Sequence, residues 1–343
     1  MALEHSVLIE SVIKELLKTQ YNLNIISTEK LGIGTANCYR LFDGNKYYFL
    51  KEFQSGFSEE DLIREANLVN FLAENGFPVA RFLFTVEGKT SITYCNHLLC
   101  LEEYIEGKTY GYNDFPKSML AETAQMLGKL HYVMKDYPLP KDMGTEWLAS
   151  YSADAMIAQY DTLLAVAEQN LRDANYTHII ADLQYKKELA QRCNDYKQYF
   201  EGITYSPTHG DFQGCQLICD GENIKAVIDF SSARTLPAVW EIMRSYVQTS
   251  VDCRKNEVID TEEVCKYVQE YMKYSPLTKK DLAAMPYVYL FQLARSKYGY
   301  PQYLTTDSED REGLLQFAFW RTNMCREVEK KAEEISAALS KLM

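Results

Sequence analysis

Near residue 106 the chain changes periodicity, and this change narrows the possible folds more than any other feature. Before it, short segments rich in β-branched and aromatic residues alternate with turn signals. The stretches 24–33, 36–42, 46–53, 81–86, 90–95 and 97–105 read as strands. Asp43-Gly44 marks a hairpin turn, because both residues tolerate positive φ. One helix interrupts the strands. Ser58 is its N-cap and Asp61 completes a capping-box variant. Leu62, Ala66, Val69 and Ala73 then recur at helical spacing until Asn75-Gly76 stops them. After residue 106 helical patterns dominate. A helix is expected over 117–134, with mostly helical stretches over 145–200 and 260–343 and a β island over 204–230. The expectation is an α+β chain with a β-rich N-lobe and a mainly helical C-lobe.

Bulk properties exclude several classes. A chain of 343 residues, 47% hydrophobic, can bury two cores and is too apolar for disorder. A formal charge of −12 argues against nucleic acid or an anionic membrane surface and leans toward a cationic small-molecule partner. No apolar run reaches the ~18 residues of a membrane span, and Met1-Ala2-Leu3-Glu4-His5 does not open a signal peptide. The nine cysteines form no C-x-x-C pair and read as free thiols in a reducing cytosol, so a cytoplasmic location is expected.

The chemistry-bearing residues cluster in the β island. His209-Gly210-Asp211 leads into a hairpin whose strands run from Gln216 to Cys219 and from Ile224 to Ile228, ending in Asp229-Phe230. With Cys219 opposite Ile224, Gln216 falls opposite Val227. Facing residues in a ladder lie about 5 Å apart. Gln216, Asp229 and Asp211 are therefore expected at one end of the hairpin. Two carboxylates and an amide oxygen suit Mg²⁺, which keeps several waters and shares phosphate oxygens. Phosphoryl transfer needs a base for the attacking hydroxyl, metal on the phosphates and a cationic clamp. Asp211 fits the first role, Asp229 and Gln216 the second, and Lys51, on the third strand, the third. Upstream lies the loop Leu31-Gly32-Ile33-Gly34-Thr35-Ala36. It joins two strands, whereas dinucleotide-binding and Walker loops open a helix. Glu65, in the following helix, is expected to pair with Lys51 and hold it toward the phosphates.

Taken together, these residues resemble the aminoglycoside phosphotransferase and choline kinase family, the small-molecule branch of the protein-kinase-like fold. The resemblance runs from Gly32 to about Tyr246. It is strongest at His209-Gly210-Asp211 and Ile228-Asp229-Phe230, with support from Tyr48-Phe49-Leu50-Lys51, Arg64-Glu65, Glu103-Tyr104-Ile105-Glu106-Gly107 and Leu127-Gly128-Lys129-Leu130-His131. It implies a two-lobed fold, with residues 1–105 as the nucleotide-binding lobe and 106–343 as the catalytic and substrate-binding helical lobe. It further implies transfer of the γ-phosphate of ATP, with Mg²⁺, to a hydroxyl of an aminoglycoside, choline, homoserine or sugar type of acceptor. Gly32, Gly34 and Thr35 would then face the phosphates, and the backbone of Glu103 to Ile105 would read adenine. The family usually has Asn at the position held here by Gln216. A protein kinase is disfavoured, because Asp229 and Glu241 lie too close in sequence for an activation segment.

Plainer readings exist for several of these residues. His209 orients its loop rather than doing chemistry, Glu241 anchors that loop, and His131 packs within its helix. Gly32 and Gly34 also suit a simple bulge. His209, Cys215 and Cys219 lack a fourth ligand and the usual spacing of a zinc site. Gln216 motivates a second hypothesis, a kinase fold that binds or builds without catalysing, as in spore-coat-like members of the superfamily.

Overall fold

The computed structural model describes residues 4–32, 36–139, 152–169, 173–306 and 310–343. The expected loop residues Ile33, Gly34 and Thr35 and the start of the 145–200 stretch lie outside the described residues. The chain packs as two compact units, residues 1–109 with 216–232 and residues 110–215 with 233–343. The hairpin within 216–232, grouped with the helical part on sequence, packs in the first unit.

The first unit is built on an antiparallel sheet. Its strands are β1 (Ser27–Leu31), β2 (Asn37–Phe42), β3 (Tyr47–Glu52), β4 (Phe82–Leu83), β5 (Ser91–Tyr94) and β6 (His97–Glu103). They lie in the order β1-β2-β3-β6-β4, with β5 also on β6. The turn between β2 and β3 forms as expected. Asp43 Oδ1 accepts from the amides of Asn45 and Lys46, both at 2.7 Å, and Gly44 takes φ +100°. The strand expected over 81–86 shrinks to β4. Beyond it the backbone turns, with the Thr85 amide bonded to Lys89 and the Val86 amide to Gln20.

Strand alternation gives the sheet two different faces. Tyr39, Leu41, Tyr48, Leu50, Leu99 and Leu101 share one face and pack with Ile13, Leu17 and Tyr21 of a helix α1 (Glu10–Tyr21). The sequence reading found one helix before residue 106 and missed α1. Its N-cap residue, Ile9, offers no side-chain cap, so the usual start signal is absent. The opposite face carries Cys38, Lys51 and Cys100 in one row and Arg40, Phe49 and Glu102 in the next. The second helix, α2 (Glu59–Glu74), starts where expected, with the Ser58 hydroxyl accepting from the Asp61 amide at 3.2 Å. It buries Leu62, Glu65, Ala66 and Val69.

The hairpin of β8 (Leu217–Asp220) and β9 (Asn223–Val227) joins this unit through backbone bonds. The Val227 amide donates to Pro78 at 3.0 Å, and Cys219 and Lys108 exchange bonds of 2.8 and 2.9 Å. Close approach explains the neighbouring glycine, because a Cβ on Gly107 would sit 2.7 Å from the Cys219 carbonyl oxygen.

The second unit is mainly helical. Its helices are α3 (Leu120–Met134), α4 (Ala153–Glu168), α5 (Tyr176–Tyr196), α6 (Ala238–Thr249), α7 (Thr261–Met272), α8 (Lys279–Arg295), α9 (Tyr300–Thr305) and α10 (Arg311–Leu339). A two-stranded ribbon of β7 (Tyr205–Thr208) and β10 (Arg234–Pro237) sits among them. Helix α6 is buried at Ala238 to Met243 and at Ser245 to Thr249, which leaves Arg244 as its partly exposed member. A π-helical turn, Asp252–Asn256, follows α6; such turns recur at functional sites. Among the described residues no helix is long and apolar enough to cross a membrane.

Candidate active site

Strand β7 delivers His209-Gly210-Asp211 from its C-terminal end. Gly210 takes φ +82°, a conformation that costs any other L-residue backbone strain. A buried carboxylate holds the loop from behind. Glu241 of α6 accepts the His209 amide at 2.9 Å, the Gly210 amide at 2.5 Å and contacts His131 Nε2 at 2.8 Å. His131 Nδ1 meets the Tyr271 hydroxyl at 2.8 Å. His131 therefore reaches well beyond its own helix, unlike the expectation that it packs within it. Burial alone would raise the Glu241 pKa. The hydrogen bond and charge of His131, then His209, outweigh burial and hold it below the ordinary value. His209 Nδ1 accepts from the Asp211 amide at 3.2 Å, so its ring orients the loop.

Asp211 itself keeps 29% of its side chain exposed. One carboxylate oxygen forms an ion pair with Arg244, and the other accepts from Gln213 Nε2 at 3.1 Å. The loop thus ends in a partly accessible carboxylate held by an arginine and an amide.

In the first unit, Lys51 Nζ lies 2.8 Å from Glu102 Oε1. The expected ion pair of Lys51 with Glu65 is replaced by this one. Register is the cause. Lys51 faces Cys100 across β3 and β6, which sets Glu102 diagonally beside it on the same sheet face. Glu65 acts on Lys51 through its field instead, and it accepts a hydrogen bond from the Phe230 amide. Burial, then the charges of Glu102 and Asp229, pushes Glu65 up to about 7 against the pull of Lys51. For Lys51, burial opposes charge, but Glu102 and Glu65 outweigh it and hold the ammonium above its ordinary value.

Gln216 and Asp229 also meet, by a different register from the expected one. Cys219 does face Ile224, but a bulge between Ile218 and Cys219 places Leu217, not Gln216, opposite Val227. Gln216 moves one step on. Its carbonyl accepts from the Ile228 amide at 3.0 Å, and its side-chain amide reaches Asp229 Oδ2 at 3.3 Å. Asp229 takes φ +65°, a strained conformation for a non-glycine residue, and Ser231 Oγ donates to its other oxygen at 2.7 Å.

The donor set fits a hard divalent cation. Glu102 and Glu65 interact with the single ammonium of Lys51, and the charge of Asp229 acts on Glu65. Among the described residues no group of three or more His, Cys, Asp or Glu is placed to hold a metal by itself.

The remaining expected residues are less constrained. Gly32 is exposed, and a Cβ there would meet nothing within 4 Å, so the protein itself does not demand glycine at that position. Glu103 ends β6 with its amide on Arg81 at 2.9 Å, and Ile105 is half-buried just beyond. Sequence reasoning missed Glu102 and Arg244. The signal for Glu102 was the alternation that puts it on the Lys51 face. For Arg244 it was its place one helical turn after Glu241.

Comparison with known proteins agrees with this geometry. Residues 28–273 match the phosphotransferase enzyme family. A homoserine kinase from Zymomonas mobilis is 23% identical over 256 residues, spanning 74% of this chain and 73% of its own. A spectinomycin phosphotransferase, solved with ADP and spectinomycin, superposes with a TM-score of 0.68 at 14% identity, over 96% of this chain and all of that one. An aminoglycoside phosphotransferase from Alicyclobacillus acidocaldarius gives a TM-score of 0.65 at 16% identity, over 96% of this chain and 98% of that one. These likenesses identify the protein-kinase-like fold, with a β-rich N-lobe and a mainly helical C-lobe. With most of its length matched, the chain belongs to the phosphotransferase enzyme family and is a small-molecule kinase.

Proposed function

We propose that this protein transfers the γ-phosphate of ATP to a hydroxyl of a small molecule, with Asp211 as the base. The observation that carries the reading is the loop at Asp211: glycine at φ +82°, a buried carboxylate behind it and a partly exposed carboxylate at its tip. Residues 1–105, with the hairpin over 216–232, serve the nucleotide. The rest of 106–343 serves the acceptor.

Asp211 accepts the proton of the acceptor hydroxyl as that oxygen bonds to phosphorus, and the bond from the γ-phosphorus to the ADP oxygen breaks. Arg244 holds and aims the Asp211 carboxylate through their ion pair. Lys51 supplies the cationic clamp once phosphate oxygens compete with Glu102 for its ammonium. Gly32, Gly34 and Thr35 let the chain approach the phosphates closely, and the backbone of Glu103 to Ile105 reads the base. Asp229 and Gln216 are the residues that would hold Mg²⁺. When bound, Mg²⁺ neutralises charge on the phosphate oxygens. The amide of Gln216 turns its oxygen or its nitrogen toward Asp229 by a simple flip, so its chemistry allows either role.

The test is calorimetric titration with ATP, with and without Mg²⁺, followed by ADP release over a panel of alcohols. Binding that tightens with Mg²⁺, and ADP release that depends on an alcohol, are expected. Metal-independent binding without turnover would instead support a kinase fold that binds without catalysing.

A further inference from the structure

The second unit holds more guanidinium charge beside Asp211 than its carboxylates neutralise. Arg244 pairs with Asp211, yet its Nη1 is buried without a protein partner. Arg254 projects from the π-helical turn with its guanidinium 3.8 Å from the Trp320 ring centre, 4.9 Å from that of Tyr112 and 5.6 Å from that of Phe317. Its polar contact is a long one, Nη1 to Gln248 Oε1 at 3.5 Å, and its buried Nε has no partner. Arg321, on α10, lies 5.5 Å from the same Phe317 ring, again with a buried, unpartnered Nε. Among the described residues neither Arg254 nor Arg321 has a carboxylate within ion-pairing distance. The nearby acids are engaged elsewhere: Asp252 and Glu263 with Lys117 at 2.7 and 2.9 Å, and Glu257 with Asn323 at 2.9 Å.

These groups form one neighbourhood. Tyr289, on α8, is 1% exposed, and its hydroxyl has no hydrogen-bond partner. It feels the charges of both Arg244 and Arg321. Tyr112 feels those of Asp211 and Arg254, so the cluster reaches the proposed base. Burial pulls Arg254 down to about 10, which leaves it cationic at neutral pH, and pulls Arg321 in the same direction. Buried N–H and O–H groups left without acceptors are costly, and more so on a cation. Among the described residues four donors share the defect: Arg244 Nη1, Arg254 Nε, Arg321 Nε and the Tyr289 hydroxyl. The aromatic box holds Arg254 in place in advance of any ligand. What the cluster lacks is an oxyanion.

We infer that the acceptor is a hydroxy acid, its carboxylate seated among Arg254, Arg321, Tyr289 and the unpartnered nitrogen of Arg244 while its hydroxyl meets Asp211. The inference rests on the phosphotransferase reading and names its acceptor class. It reverses the lean toward a cationic acceptor drawn from the net charge of −12. Net charge describes the whole surface, whereas recognition is set by the groups that line the site.

The experiment measures MgATP-dependent ADP release by the full chain over matched probes: short hydroxy acids including homoserine, their primary amides, amino alcohols without a carboxylate, and glycerol phosphate. Acid and ATP binding are each followed by calorimetry. Acids are expected to be used about 100-fold more efficiently than their amides. Arg254→Met and Arg321→Met are each expected to raise the KM for the acid about 10- to 100-fold while the KM for ATP and the melting temperature hold. Equal use of acid and amide overturns the inference, as does preference for an amino alcohol or for the phosphate ester. Acid kinetics unchanged in both variants, or no acid bound at millimolar concentration, do so too. Failure of ATP to bind would count against the phosphotransferase reading itself, and acid binding without nucleotide still decides the acceptor class.

Discussion

The two units hold charge clusters of opposite sign, and neither cluster is balanced. In the first, Glu102 and Glu65 share one ammonium, that of Lys51, while Asp229 adds its charge beside Glu65. In the second, Arg244 pairs with one proposed catalytic carboxylate, Asp211, and Arg254 and Arg321 are linked to that pair through Tyr112 and Tyr289. The strain shows as displaced protonation: burial and like charges push Glu65 up to about 7, and burial pulls Arg254 down to about 10. A phosphotransferase must admit a metal-bound polyphosphate and an acceptor. By count, the first cluster has two more carboxylates than ammonium groups and the second two more guanidinium groups than carboxylates. A net charge of −12 describes neither.

The largest break in this comparison should come from Lys51→Met. It leaves Glu102 and Glu65 without their cation, and loss of one partner from a buried pair costs about 3–5 kcal/mol. The melting temperature should fall, and the KM for ATP should rise wherever the fold survives. Glu65→Gln should have the next effect, read in metal-free protein as stability against pH. Folded Glu65 titrates at about 7 and unfolded Glu65 near 4.5. Between those values the folded state binds more protons than the unfolded, so wild-type stability declines as pH rises through the window, by on the order of 1–3 kcal/mol. The variant should lack that decline. Glu102→Gln removes one of the charges that raise Glu65, so the same decline should persist with its upper end shifted toward lower pH by up to about one unit. Arg244→Met should destabilise least, by under about 1 kcal/mol, because the pair is partly exposed and the change relieves an excess of guanidinium. A stability loss as large as that of Lys51→Met would show that the second cluster is balanced after all.

Local signals in the sequence were enough for much of the fold. The Ser58 cap, the Asp43-Gly44 turn and the aromatic alternation of β3 each act within a few residues, and each appears where expected. Helix α1 was missed because it begins at Ile9 without a side-chain cap and owes its place to the sheet face that its Ile13, Leu17 and Tyr21 cover. The site divides in the same way. The glycine at Gly210 and the carboxylates at Asp211 and Asp229 were legible as a motif with a hairpin between them. The bulge at Ile218 was not, because nothing in the alternation of β8 marks it. Nor was the partner of Lys51, since either Glu65 or Glu102 satisfies the chemistry and strand register decides between them. The arginine cluster had no motif at all. Arg244, Arg254 and Arg321 come from a helix, a π-helical turn and a distant helix, and only tertiary packing assembles them.

The central claim is that Asp211 is the base of a phosphoryl transfer, and Asp211→Asn measured for ATP binding and for transfer in one preparation tests it most directly. The substitution keeps shape and removes the proton acceptor. ATP should bind as tightly as to the wild type, while acceptor-dependent ADP release falls by about 10²- to 10⁴-fold. Transfer at the wild-type rate, or a loss that merely follows weakened ATP binding, would contradict it.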